Sequence, residues 1–310
     1  MISSSTGEMA IRRQQRLIFR CAMAFLLDEA GRLIRRHDGD FVRGAVFLAM
    51  AQATRPIGTA AGPAGPRAVR GISVRAIAQS LGLAYETTRR KTADLEALGL
   101  CQRVGDGLIA SPAAFQGEAY RQDCELTRLG LDHLFRDLRA IGFDFSALDQ
   151  VSPQMGGVRV PADPTEAANA LVGDFLLRVL EGGAEPHGSM IDALVAVAMM
   201  IANAEFLTHD PELAWKFAGA ETPPPDELRR PVPLTQLSNN LGLAHETVRR
   251  RVKRFVARGW AARSRGGYLF SMARQQDPEV IRTGLIVSQR FLQLLQALRQ
   301  LGIGRPARPR

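Results

Sequence analysis

The sequence is poor in lysine, cysteine and aromatic residues, and each scarcity narrows what the chain can be. Only three lysines occur, Lys91, Lys216 and Lys253, so arginine carries almost all of the positive charge. Basic residues number 40 against 31 acidic ones, a net charge of +9 over 310 residues. Forked, permanently charged donors suit phosphate and guanine; a GC-rich genome gives the same composition, and composition leaves both readings open. The three cysteines, Cys21, Cys101 and Cys124, are odd in number and far apart. They exclude a disulfide framework and a cysteine-ligated zinc site, and read as buried thiols in a reducing compartment. Aromatics at 6%, with 46% hydrophobic and 23% charged residues, exclude a disordered or collagen-like chain.

Catalytic constellations are missing as well. His37, His133, His187, His209 and His245 share no ligand spacing, and no nucleophile elbow, paired carboxylates or zinc-protease helix is present. The glycine-rich stretch within Arg55 to Gly71 follows no strand pattern and precedes no Gly-Lys-Ser/Thr, so it reads as a linker rather than a phosphate loop. The expectation is a protein that is not an enzyme and needs no cofactor or metal. The apolar run from Leu17 to Leu27 is broken by Arg20 and closed by Asp28 and Glu29, which argues against a signal peptide. The most apolar stretch, Met190 to Ala202, contains Asp192 and is too short to span a bilayer. A cytoplasmic location with no membrane partner is expected.

What the chain does contain is a repeat. Residues 71–111 align without a gap on residues 231–271 at an offset of 160, with 13 of the 41 positions identical. Leu81, Gly82, Leu83, Ala84, Glu86, Thr87, Arg89 and Arg90 all recur 160 residues on. Downstream, Leu138, Arg139 and Gly142 match Leu298, Arg299 and Gly302; upstream, Gly39 to Gln52 resembles Gly188 to Ile201 at an offset of 149. The second copy therefore carries about eleven extra residues. A period of domain size excludes a solenoid and predicts two domains, 1–150 and 151–310, joined through the Gly-, Pro- and Val-rich Asp149 to Pro164.

Helical spacing covers Ile11 to Arg35, Phe41 to Ala53, Glu166 to Leu180 and Met190 to Phe206. Asp163-Pro164-Thr165-Glu166 and Asp277-Pro278-Glu279 carry start signals, Asp as cap and Pro in the first turn. Long helices over about Gly117 to Ile141 and Pro278 to Leu301 end the copies. On the last of these, Ile281, Leu285, Leu292, Leu295 and Leu298 form the expected core stripe. Ile286, Phe291, Leu294 and Leu301 form a second set fit for packing on the other copy or another subunit.

Inside each repeat the order is short helix, glycine corner, longer helix, small hairpin. Val74 to Leu81 is the first helix, Gly82 turns the corner and Ala84 to about Leu98 is the second, with Thr88, Thr92 and Leu95 inward. Val248, Val252 and Phe255 take those places in the second copy. Gly99 and Gly259 end the helices, and Leu100 to Ala110 and Trp260 to Phe270 read as hairpins. This order resembles the winged helix-turn-helix of bacterial transcription regulators. The block Leu-Gly-Leu-Ala-His-Glu-Thr-Val-Arg-Arg is similar to the recognition segment of the cyclic-AMP-receptor-like family. The resemblance spans about 40 residues per copy. It departs from the family upstream, where only helices stand in place of a β-rich nucleotide-binding domain, so no cyclic nucleotide is implied. Ala84 and Ala244 also lack the hydroxyl usual at the cap. MarR-type and replication-initiator winged helices are looser relatives.

With 88, 92 and 95 inward, positions 85, 86, 89, 90 and 93 point outward. Glu86 and Arg90, like Glu246 and Arg250, stand four apart, an arrangement in which the carboxylate steadies the guanidinium. Arg suits guanine and Glu suits cytosine. The resemblance places Tyr85, Glu86 and Arg90, with His245, Glu246 and Arg250, at base-reading positions; a solvated, ion-paired surface is the alternative. Arg89, Arg249, Arg251, Lys253, Arg263 and Arg265 complete the expected DNA-binding set. Between 84 and 100 three basic residues face three acidic ones, whereas 244–260 holds six against one. The second copy should thus dominate phosphate affinity. The tail 304–310, with its three arginines, reads as a groove-following arm or an incidental charged tail.

The sequence therefore predicts a mainly α, internally duplicated protein with small β-wings, binding double-stranded DNA in the bacterial nucleoid as a transcription regulator. The recognition helices are 84–98 and 244–258. The transcription machinery and a homodimer through the long helices are the further partners considered. A replication initiator or architectural DNA protein, and a winged-helix protein-interaction module, remain open beside it.

Overall fold

The computed structural model describes residues 14–54, 71–149, 164–183, 186–219 and 222–305. Most of the two expected linkers, 55–70 and 150–163, lies outside the described residues, as do the Asp163 cap and residues 306–310 of the tail.

Within the described residues the protein is mainly helical with two small antiparallel sheets. Helices α1 (Gln15–Arg36) and α2 (Phe41–Thr54) come first. They lead into α3 (Val74–Ser80), α4 (Tyr85–Ala97), strands β1 (Cys101–Val104) and β2 (Gly107–Ala110), and the long α5 (Gly117–Ala140). After α6 (Ser146–Asp149) the chain runs through α7 (Pro164–Gly183), α8 (Met190–His209) and α9 (Pro211–Lys216). It continues through α10 (Leu234–Leu241), α11 (His245–Ala257), β3 (Ala261–Ser264), β4 (Gly267–Phe270), α12 (Met272–Gln275) and α13 (Pro278–Gln300). Each expected helix that falls on described residues is present, with ends shifted by a few residues.

Both hairpins share one register. Cys101 faces Ala110 and Val104 faces Gly107, as Ala261 faces Phe270 and Ser264 faces Gly267. Each gains a short third edge through an isolated bridge, Ile72 to Leu108 and Val232 to Tyr268. At the first of these a Cβ on Gly71 would lie 2.6 Å from the Gly107 backbone, so the approach requires glycine there. The corners also match. Gly82 and Gly242 take φ of 61° and 67°, in the left-handed region that favours glycine.

The two sets of helices interlock. α1 packs on α5 and on α8 and α13, while α7 packs on α13 and on α2 and α5. Their buried side chains form one continuous core, to which both halves of the chain contribute. Inward positions on the second helix of each set are as the spacing requires. Thr88, Thr92 and Leu95 are buried, and so are Val248, Val252 and Phe255.

Two expectations need correction, and a third gains structural content. The apolar stretch at Met190 belongs to a 20-residue helix, because Asn203 and Glu205 lie within α8 rather than ending it. Met190–Leu207 is by length and composition enough to cross a bilayer, and more than half of that window is buried inside the protein. On α13 the buried stripe is Val287, Phe291, Leu294, Leu295 and Leu298. Followed back at three- and four-residue steps it reaches Gly284 and Val280, so Ile281 and Leu285 fall beside it and stand about half exposed. The extra residues of the second set carry α9, whose cap Asp210 accepts from the Glu212 and Leu213 amides.

Candidate nucleic-acid interface

Helices α4 and α11 each expose their first two turns. Tyr85, Glu86, Arg89 and Arg90 are exposed on α4, and His245, Glu246 and Arg250 are exposed on α11, with Arg249 half-buried beside them. Neither helix has a side-chain cap at Ala84 or Ala244, which leaves the amino-terminal amides of each open toward whatever faces it.

The carboxylates hold a different arginine from the one the spacing predicts. Glu86 grips Arg89 with two bonds, at 2.9 and 2.6 Å, and Glu246 grips Arg249 with two at 2.6 Å. These bonds hold Glu86 and Glu246 below the usual carboxylate range and raise Arg89 and Arg249. Arg250 lies 3.8 Å from Glu246, beyond a good hydrogen bond, with 68% of its side chain exposed. Two of the five N–H donors of Arg89 and of Arg249 are spent on their own helix, whereas Arg90 and Arg250 donate to no carboxylate among the described residues.

Arg251 is not part of that face. It turns toward the first turn of α8, where Asp192 lies 3.3 Å from it and 2.7 Å from Arg254. Asp192 is nearly fully buried, is hydrogen-bonded to the Ser189 hydroxyl and sits where a helix dipole favours negative charge. The first set of helices has the same tether in another form, Lys91 to Asp40 at 2.6 Å in front of α2. Sequence spacing did not single out Asp40 or Asp192. Their one signal is an acid at a helix start 51 and 59 residues from its cation.

The hairpins differ at corresponding places. Arg103 on β1 is tied to Glu96 of α4 at 2.9 Å, and Asp106 occupies the turn. Arg263 and Arg265 are exposed, and Val256 stands where Glu96 would be, so neither has a carboxylate partner among the described residues. Lys253 is exposed on α11 as well. The second helix and hairpin thus present Arg250, Lys253, Arg263 and Arg265 together with His245. The first presents Arg90 with Tyr85, Leu98 and Val104, three exposed apolar side chains.

Among the described residues no group of three or more His, Cys, Asp or Glu could hold a metal ion. All three cysteines are buried, and burial pushes Cys21 up to about 12 and Cys101 to about 11, so neither is a reactive thiolate. Compared with family models, curated proteins and solved structures, the chain matches none.

Proposed function

We propose that the chain is a sequence-specific regulator that binds double-stranded DNA through two winged helix-turn-helix units, cores 71–111 and 231–271, related by internal duplication. The single observation that carries this reading is the second unit. Its helix and its hairpin expose Arg250, Lys253, Arg263 and Arg265, none hydrogen-bonded to a carboxylate among the described residues, while Glu246 is occupied by Arg249 and keeps Arg250 only as a 3.8 Å neighbour. Cations of this kind on one helix and the adjoining wing contact phosphates, and a fork exposed on the second turn, as Arg250 is, reaches a base edge. The pairing of α1 with α8 and α13, and of α7 with α2 and α5, supports a pseudo-twofold arrangement. Such an arrangement presents two helices to related half-sites, as dimeric regulators do.

A second reading applies to the first unit. Its tied Arg103, its charge balance along α4 and its exposed Tyr85, Leu98 and Val104 favour a protein contact over a phosphate contact. The experiment that tests the whole is selection of DNA fragments from a random pool by the full chain, followed by affinity measurement at two salt concentrations. A shared motif, bound with a steep salt dependence, is the expected result. Recovery of no motif defeats the regulator reading.

A further inference from the structure

Beneath the amino-terminal third of α13 lies a groove of about 220 Å³, walled by the start of α1, by α8, by Pro223 and Pro224 and by α12. Its floor is apolar, made by Phe19, Met200, Ile201, Val280, Ile281 and Leu285. Three guanidiniums, Arg16, Arg20 and Arg229, also line it, and no acidic residue does. Arg229 is buried and already engaged: it pairs at 2.7 Å with Asp226, whose own side chain points to solvent, and donates to the Phe270 carbonyl. Arg20 donates to the Ala204 carbonyl, a neutral partner. No carboxylate pairs with Arg16 or Arg20 among the described residues.

The charges feel one another. Burial, then the Arg16 charge, brings Arg20 down to about 10, and burial, then the Arg229 charge, lowers Arg16. Desolvated cations close together without a counter-ion are costly, and an anion placed among them removes that cost. Ile281 and Leu285, left about half exposed at the mouth, are apolar surface a ligand would cover.

We infer that this groove is a binding site for a small amphipathic carboxylate of the medium-chain fatty acid type, its head among Arg16 and Arg20 and its tail along Ile281 and Leu285. Size supports a small ligand, since the volume is below the ~300 Å³ at which drug-sized pockets begin. Polarity supports an anion with an apolar body, and a free inorganic anion would leave the floor unused. The groove also touches Arg229, the residue that holds the end of β4 through Phe270, and Met272 and Gln275 directly beyond it. None of these residues belongs to the DNA-facing set, so the site stands or falls independently of the DNA reading.

Calorimetric titration of the full chain with octanoate, octylamine and octanol tests it. Octanoate is expected to saturate one site, with octylamine and octanol at least about tenfold weaker. Arg16→Gln, at a partly buried position, and Leu285→Asp, at an exposed one, should each weaken octanoate by about tenfold or more while the thermal midpoint stays put. Octylamine binding as tightly as octanoate, no octanoate binding into the millimolar range, or unchanged affinity in both variants overturns the inference.

Discussion

The two helix–hairpin units have the same register and the same corners but are held and charged differently. In the second, Val248, Val252 and Phe255 are all buried, and the Phe255 and Phe270 rings stand 5.8 Å apart edge to face. Asn203 of α8, fully buried, donates to the Arg230 and Tyr268 carbonyls and accepts from the Phe270 amide, fastening β4 to the helix behind it. In the first, Thr88 and Thr92 replace two of those apolar side chains and spend their hydroxyls on the carbonyls of Ala84 and Arg89. The comparison teaches that the unit with the freer cations is also the one with the wholly apolar inner stripe and with a buried side chain fastening its hairpin to the helix behind. Donors that must meet a ligand at fixed positions are effective only when their supporting side chains hold them there.

That contrast can be broken by emptying each core. Phe255→Ala should cost about 3 to 5 kcal/mol, and Leu95→Ala about 2 to 3, measured by urea denaturation. Equal losses would remove the difference in packing.

Acid acts on both halves alike. His37 and His187 are buried, with His37 Nδ1 and Nε2 and His187 Nδ1 lacking partners among the described residues. Burial, then the Arg36 and Arg43 charges at His37 and the Arg274 charge at His187, lowers each from 6.5 to about 4. The unfolded chain binds these protons first, so stability is full above pH 6.5 and is lost as pH falls toward 4. The gap corresponds to ~3 kcal/mol per histidine. His37→Leu and His187→Leu should each flatten the acid limb of the stability curve; an unchanged limb would show that the rings are solvated.

The tethers sharpen the comparison further. Asp192→Ala leaves Arg251 and Arg254 without their anion and should cost about 2 to 3 kcal/mol, discounted for the partial exposure of both cations. Asp40→Ala, which removes a more exposed carboxylate, should cost about 1 kcal/mol or less. Smallest of all is Glu96→Ala. It frees Arg103 with little change in stability and should raise the salt slope of DNA binding by about one, if release of that fork is what separates the hairpins.

Much of this architecture was legible along the chain because it is local. The buried stripes on α4 and α11 follow helical spacing, the corners fall at Gly82 and Gly242, and the hairpin turns fall at glycines. What was not legible depends on partners far away in sequence. Glu246 could reach Arg249 or Arg250 by spacing alone, and the choice of Arg249 is a matter of side-chain geometry. Arg251 looks outward by charge, and turns inward because Asp192 lies buried in the first turn of α8. The exposure of Ile281 and Leu285 follows from how α13 rotates on α7, which an apolar pattern on two faces does not fix. Asp210-Pro211 carried the same start signal as Asp277-Pro278 and marks α9, a feature that local reading can find.

The most direct measurement is the affinity of the full chain for its selected DNA fragment, compared with Arg250→Ala and Arg90→Ala at matched salt. The second unit leads in this account, so Arg250→Ala should lose about 1 to 3 kcal/mol of binding and relax the base preference at one position. Arg90→Ala should lose less. Unchanged affinity in Arg250→Ala, or a larger loss in Arg90→Ala, would contradict it.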